Sequence, residues 1–145
     1  MRGAGPAAAI GGLIAVLGSV LPWVRARDSR PDLDLTSTAA SSLGDFTYTA
    51  TDAFPNSAAM VVLVAGLVTA VGAILRSWLV TVAGAIVGLA VGGLWLGLVA
   101  AAFDPVDLPW SDLRMGALLS LSGVILALGM GLTMRPRKEE PEFVE

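Results

Sequence analysis

Residues Thr81 to Gly97 read TVAGAIVGLAVGGLWLG, and the spacing of the glycines in this stretch decides how the chain folds. Gly84, Gly88 and Gly92 recur every fourth residue, and Gly93 and Gly97 begin a second ladder of the same spacing. Positions four apart lie on one face of a helix, so that face carries almost no side chain. Lipid tails are as apolar as leucine, so helices in a bilayer associate through close backbone contact, which small residues permit. The run containing these ladders, Trp78 to Phe103, is continuously apolar and about 39 Å long as a helix, long enough to tilt in a membrane or project beyond it.

Composition points the same way. Of 145 residues, 55% are hydrophobic, with a mean hydropathy of +0.77, far from a soluble domain. Cys and His are absent, which removes disulfides, thiol nucleophiles, imidazole bases and the usual zinc, haem and iron–sulfur ligands. The net charge of −3 lies outside the apolar runs and forms no basic stripe, so nucleic acid is not expected as a partner. Lys138 is the only lysine beside eight arginines, and Ala, Gly and Val are abundant, a bias associated with high-GC bacterial genomes.

Three further apolar runs share the small-residue pattern. Residues 6–24 carry Ala7, Gly11, Ala15 and Ser19 at spacing four, and Pro22 ends or kinks the helix. The rival reading of this run is a cleaved signal peptide, against which only Arg2 charges the leading segment and Trp23 sits as an interface anchor. Residues 57–75 carry Gly66 and Ala70, and residues 115–134 carry Gly123, Ala127 and Gly131. Only Arg76 and Ser77 separate the second run from the third, which makes them antiparallel neighbours. The expected fold is all-α and integral to the membrane: a four-transmembrane-helix bundle over residues 1–134, with outer loops 25–56 and 104–114 and a charged cytoplasmic tail 135–145.

In the first outer loop, Phe46, Tyr48 and Ala50 alternate with threonines, and Leu33 and Leu35 alternate with Asp32, Asp34 and Thr36, around Ser41–Asp45 as a turn. That alternation predicts a small β-hairpin capping the bundle, with Asn56 or Ser57 capping the next helix. In the second loop, Asp104 to Pro109 reads as one helical turn, and Ser111 as the cap of the fourth span. Leu21-Pro22-Trp23 and Leu108-Pro109-Trp110 occupy corresponding places in the two halves, which fits either a parallel duplication or the preference of Trp for membrane interfaces.

Arg2, Arg76, Arg135, Arg137 and Lys138 fall on one side in short segments, whereas Arg25, Arg27, Arg30 and Arg114 share the longer loops with eight aspartates. Both termini are therefore expected in the cytoplasm, with the protein multi-pass in the plasma (inner) membrane.

No Asp, Glu, Lys or Arg falls inside the spans, which argues against an ion channel, a pump or a proton-coupled carrier. Ser19, Thr69, Thr81, Ser120, Ser122 and Thr133 are expected to bond a neighbouring helix or their own backbone. Arg25, Arg27 and Arg30 can hold lipid phosphates, or be neutralised by the aspartates among them. Trp23, Trp78 and Trp110 are the interface anchors. No nucleophile–base pair, calcium loop or other metal site, or cofactor site can be named. The helix-packing or partner-docking residues are Gly84, Gly88, Gly92, Gly93, Gly97, Gly123, Ala127 and Gly131. One bundle does not obviously bury both ladders, so one is left to dock a larger membrane protein.

The LPWV ending of the first span (Leu21 to Val24), the Thr-rich outer loop and the Arg76-Ser77-Trp78 turn resemble the tryptophan-biosynthesis-associated membrane protein family, small four-span proteins of high-GC bacteria. The resemblance implies the four-span layout and no site. The topology is also similar to claudin-like tetraspans, whose paired loop cysteines are absent here. The function expected is non-catalytic: an accessory or scaffolding subunit whose partners are the lipid bilayer and other membrane subunits or further copies of itself. The alternative is a lipid-binding or small-molecule transport protein using the outer loop.

Overall fold

A computed structural model describes residues 3–24, 34–47, 49–102 and 113–136. The described chain is helical: α1 (Ala4–Ser19), α2 (Ser41–Asp45), α3 (Ala58–Ile74), α4 (Trp78–Ala102) and α5 (Met115–Thr133), with single 3-10 turns at Leu35–Ser37 and Phe54–Asn56. Two helices, α4 over Trp78–Ala101 (24 residues) and α5 (19 residues), are long and apolar enough to cross a membrane. The other two apolar helices are shorter, 16 residues in α1 and 17 in α3.

The first helix stops at Ser19, short of the expected Val24, because a residue before proline is driven out of the helical region and Leu21 precedes Pro22. At its start Pro6 lies in the first turn, where a missing N–H costs nothing. Between α3 and α4 the chain reverses through a Schellman turn. The Ser77 N–H donates to Gly72 O (2.8 Å) and the Arg76 N–H to Ala73 O (3.2 Å). Arg76 takes the left-handed position, φ 55°, usually held by glycine.

The expected hairpin is corrected. Among the described residues the loop holds isolated bridges, Thr38 with Ala50 and Ala39 with Ser57, and no strand. Leu35 lies in a 3-10 turn and Ser41–Asp45, expected as a turn, is helical and ends at Phe46 in the left-handed region, φ 53°. The cause is local competition for backbone groups. The Ser37 and Thr38 hydroxyls both donate back to Asp34 O at 3.0 Å, tightening the segment that would have been a strand. The two segments still run antiparallel, with Ala39 N–H on Thr49 O (2.8 Å) and Thr51 N–H on Ser37 O (3.0 Å). Leu33 and Tyr48 lie outside the described residues.

The four longer helices form a ring in which α1 packs on α3 and α5, and α4 packs on the same two from the other side. Its interior is small. Ala8, Ala15, Ala65, Ala70, Ala85, Ala117 and Ala127 are buried together with Gly11, Gly12, Gly66, Gly84 and Gly123. The large apolar side chains point outward: Leu13 and Leu17 on α1, Val71 and Ile74 on α3, Leu79 and Ile86 on α4, Leu118 and Ile125 on α5. A water-soluble bundle has the reverse arrangement, since contiguous exposed apolar surface of this kind is rare on soluble monomers.

Candidate functional site

The small-residue faces divide into an inner set and an outer one. A Cβ added to Gly84 would lie 2.5 Å from Thr69 Oγ1 and 3.0 Å from Ala65 O, so this glycine is the contact of α4 with α3. Gly88 meets Val124 Cγ2 at 3.3 Å, and Gly92 meets Leu121 Cδ2 at 3.3 Å and the Trp23 ring at 3.4 Å. On α5, Gly123 faces Gly11 O (2.6 Å), Gly131 faces Thr81 Cγ2 (3.1 Å), and Ala127 is fully buried against Gly11. These residues are brought together in the ring seams: Gly84 and Gly123 against a neighbour's backbone, and Gly88, Gly92 and Gly131 against neighbouring side chains.

The second ladder is placed differently. Gly93 and Gly97 are exposed, and a Cβ at either would meet nothing within 4 Å. Ala101, four residues after Gly97, and Ala90, three before Gly93, are exposed on the same helix. Adjacent residues of a helix stand about 100° apart, and that rotation takes Gly93 out of the seam that holds Gly92.

The reciprocal backbone approaches involve α1, which the stripe reading of Ala7, Gly11, Ala15 and Ser19 treated as one-sided. Gly12 and Gly66 oppose each other reciprocally, with added Cβ atoms 2.7 and 2.8 Å from the partner's carbonyl oxygen. Gly11 and Gly123 do the same at 2.6 Å in both directions. A Cβ added to Gly18 would lie 2.5 Å from Ser120 N, and one added to Gly116 would lie 2.5 Å from Leu21 O. The signal available in the sequence was the pair Gly11-Gly12, which gives a helix two bare faces and suits one held between two neighbours.

The hydroxyls inside the helices are satisfied as expected. Ser19, Thr69, Thr81, Ser122 and Thr133 donate to carbonyls three or four residues earlier. Ser120 reaches across to Ala15 O on α1 at 2.9 Å. Ser57 precedes α3 but makes no side-chain cap; its hydroxyl donates back to Phe54 O (2.7 Å). Arg114, not Ser111, stands at the N-cap of α5, whose free amide at Gly116 donates to Pro22 O (3.0 Å) while Arg114 N–H donates to Trp23 O (2.8 Å).

Trp23 is the main correction among the site residues. Expected as an interface anchor, it is wholly buried, donates its indole N–H to Gly18 O (3.0 Å) and meets Trp95 edge to face, with ring centroids 5.2 Å apart at 78°. The break at Pro22 turns the chain back and seats Trp23 under the end of its own helix. Trp95, also buried, donates to Thr38 Oγ1 at 2.9 Å, joining α4 to the loop cap. That bond places the last turns of α4 beside the cap, about 26 Å along the helix from Trp78. Trp78 is half-buried beneath the Arg135 guanidinium, 5.6 Å from the ring centroid. Arg25, Arg27, Arg30, Trp110 and Ser111 lie outside the described residues. Among the described residues no cluster of carboxylates could hold a metal ion.

No family model, no curated protein and no solved structure matches this chain.

Proposed function

We propose that this chain is a non-catalytic four-span membrane protein that acts as an accessory or scaffolding subunit, docking a larger membrane protein through the outer face of α4. The observation that carries the reading is the split of the two ladders: Gly84, Gly88 and Gly92 have partners within the ring, while Gly93 and Gly97 have open space within 4 Å. In a bilayer an exposed small-residue face is of use chiefly to another helix, because lipid gains nothing from it.

The inside-out distribution of side chains supports the bilayer setting. It extends to α1 and α3, which at 16 and 17 residues sit at the short end of what a ~30 Å hydrocarbon core requires. An inner-membrane orientation with cytoplasmic termini is supported by Arg76 and Arg135 at one end of the ring, against Arg114 alone among the described arginines at the cap end, which also holds Asp34, Asp45 and Asp52. Because every hydroxyl in the four longer helices is already bonded to a backbone carbonyl, none in the spans is left as an evident nucleophile or carrier ligand, which favours a subunit over an enzyme.

One observation favours the lipid-binding alternative. A groove of about 430 Å³ runs between α3 and α4, lined by Met60, Val64, Val68, Ala83 and Val87; it is apolar throughout and suits an acyl chain or an apolar side chain of a partner.

The two readings separate on purification of the tagged protein from its native membrane in mild detergent, with mass spectrometry of whatever accompanies it. The subunit reading predicts stoichiometric larger membrane proteins, lost from Gly93→Leu/Gly97→Leu while the fold persists. A chain that arrives alone or with lipid only, or a partner set indifferent to the double variant, contradicts it.

A further inference from the structure

At the end of the ring opposite the cap lies a cleft of about 690 Å³, bounded by Gly5 and Pro6 of α1, Ala73 and Arg76 at the end of α3, and Met134 and Arg135 after α5. Two arginines therefore line one opening, whose walls mix polar and apolar surface. The ordinary role for an arginine after a helix is to bond the last carbonyls, but here the backbone has taken that role. Gly72 O and Ala73 O accept from Ser77 and Arg76 amides, and Gly131 O and Leu132 O accept from Met134 and Arg135 amides. Among the described residues the carboxylates are Asp34, Asp45 and Asp52, all in the cap at the far end, so neither cation is paired with one.

Two further features hold the arginines in place. Arg135 lies over the Trp78 ring at 5.6 Å, an arrangement that fixes the guanidinium plane while leaving its N–H edge free. Arg76 occupies the left-handed position of the turn, φ 55°, where glycine would be unstrained. A cation is thus kept at this opening at a conformational cost.

We propose that the cleft binds an anionic phosphate group, with Arg76 and Arg135 donating to its oxygens and Trp78 holding the second guanidinium in register. Guanidinium forks match phosphate geometry, and basic pockets between membrane helices on the cytoplasmic side are suited to anionic headgroups. The phosphate can come from an anionic phospholipid or from free phosphate in solution. Exposed Ile74 and Leu75, at 71% and 72%, lie beside the arginines and would accompany a lipid.

The test is native mass spectrometry of the purified full-length protein in detergent with equal amounts of phosphatidylglycerol and phosphatidylcholine, alongside calorimetric titration with inorganic phosphate. Phosphatidylglycerol adducts exceeding phosphatidylcholine by about tenfold, falling about tenfold in Arg76→Gly and in Arg135→Gln, support a lipid source. Titratable inorganic phosphate binding that both variants weaken supports the free-anion source. Arg76→Gly relieves the strained position, so its thermal midpoint is expected to hold or rise, and loss of binding in it cannot be put down to misfolding. Equal adducts with both lipids and no phosphate heat, or binding unchanged in both variants, overturns the proposal. So does binding that appears only in Glu139→Gln/Glu140→Gln, which would make the acidic tail the occupant.

Discussion

Glycine in this protein supplies space, since none of the described glycines has a positive φ. The reciprocal pair Gly12 and Gly66 shows what that space is for: two helix backbones meet where even a methyl group would sit 2.7 Å from a carbonyl oxygen. Gly12→Ala is expected to destabilise the bundle by about 1–3 kcal/mol, as overpacking of a tight seam does, read as a lower thermal midpoint in detergent. The Trp95 indole and the Thr38 hydroxyl form a second point of dependence between α4 and the cap. Trp95→Phe keeps most of the ring but leaves Thr38 without its donor and is expected to cost about 1–2 kcal/mol; Thr38→Val is expected to cost less in that background than in the native chain, because only its bond to Asp34 O remains to be lost. Phe46, 71% exposed at φ 53°, is expected to behave oppositely, with Phe46→Asn gaining about 0.5 kcal/mol by relief of a left-handed conformation. Spacing in the sequence exposed Gly84, Gly88 and Gly92 because a period of four is a property of one helix. Trp23 was misread because its setting depends on Trp95, far away in the chain, and on a chain reversal at Pro22 that periodicity does not encode.

At the scale of elements, the apolar runs located the four longer helices, and the departures are at their ends. Helix α1 gives up the residues around Pro22 to a turn that caps α5, so a segment read as membrane span serves as backbone partner to Arg114 and Gly116. The cap was read as a hairpin from alternation alone. Hydroxyl bonds from Ser37 and Thr38 to Asp34 O, and from Ser57 to Phe54 O, divert the backbone into 3-10 turns that a period-two pattern cannot distinguish from strands. Which face of α4 turns inward was not legible either, since Gly92 and Gly93 are adjacent residues, one in each ladder, and only the ring order of the helices separates them. The two faces differ in a measurable way. Gly84→Leu is expected to lower the thermal midpoint in detergent sharply, because its side chain would enter Thr69 and Ala65, whereas Gly93→Leu is expected to leave it within the error of the melt. Equal sensitivity at both positions would contradict the assignment of inner and outer faces.

For the molecule as a whole, the pattern of small residues within and large apolar residues without is the reverse of a soluble core, and it extends over α1, α3, α4 and α5 alike. The ring places Arg76 and Arg135 at one end and the described aspartates, together with Arg114, at the other, so the two ends differ in charge. Docking through Gly93 and Gly97, and a phosphate at Arg76 and Arg135, both presuppose that all four helices cross the bilayer. Because the chain contains no cysteine, single cysteines introduced into it are unambiguous reporters. Gly3, Gly44 and Pro136 are exposed, and Gly3 and Gly44 have room for a side chain. Labelling intact cells with a membrane-impermeant maleimide is therefore the most direct measurement. Four crossings predict that Gly44→Cys labels from outside while Gly3→Cys and Pro136→Cys label only after the membrane is opened. Labelling of Gly3→Cys and Gly44→Cys from the same side would contradict the four-span bundle, and with it both binding faces.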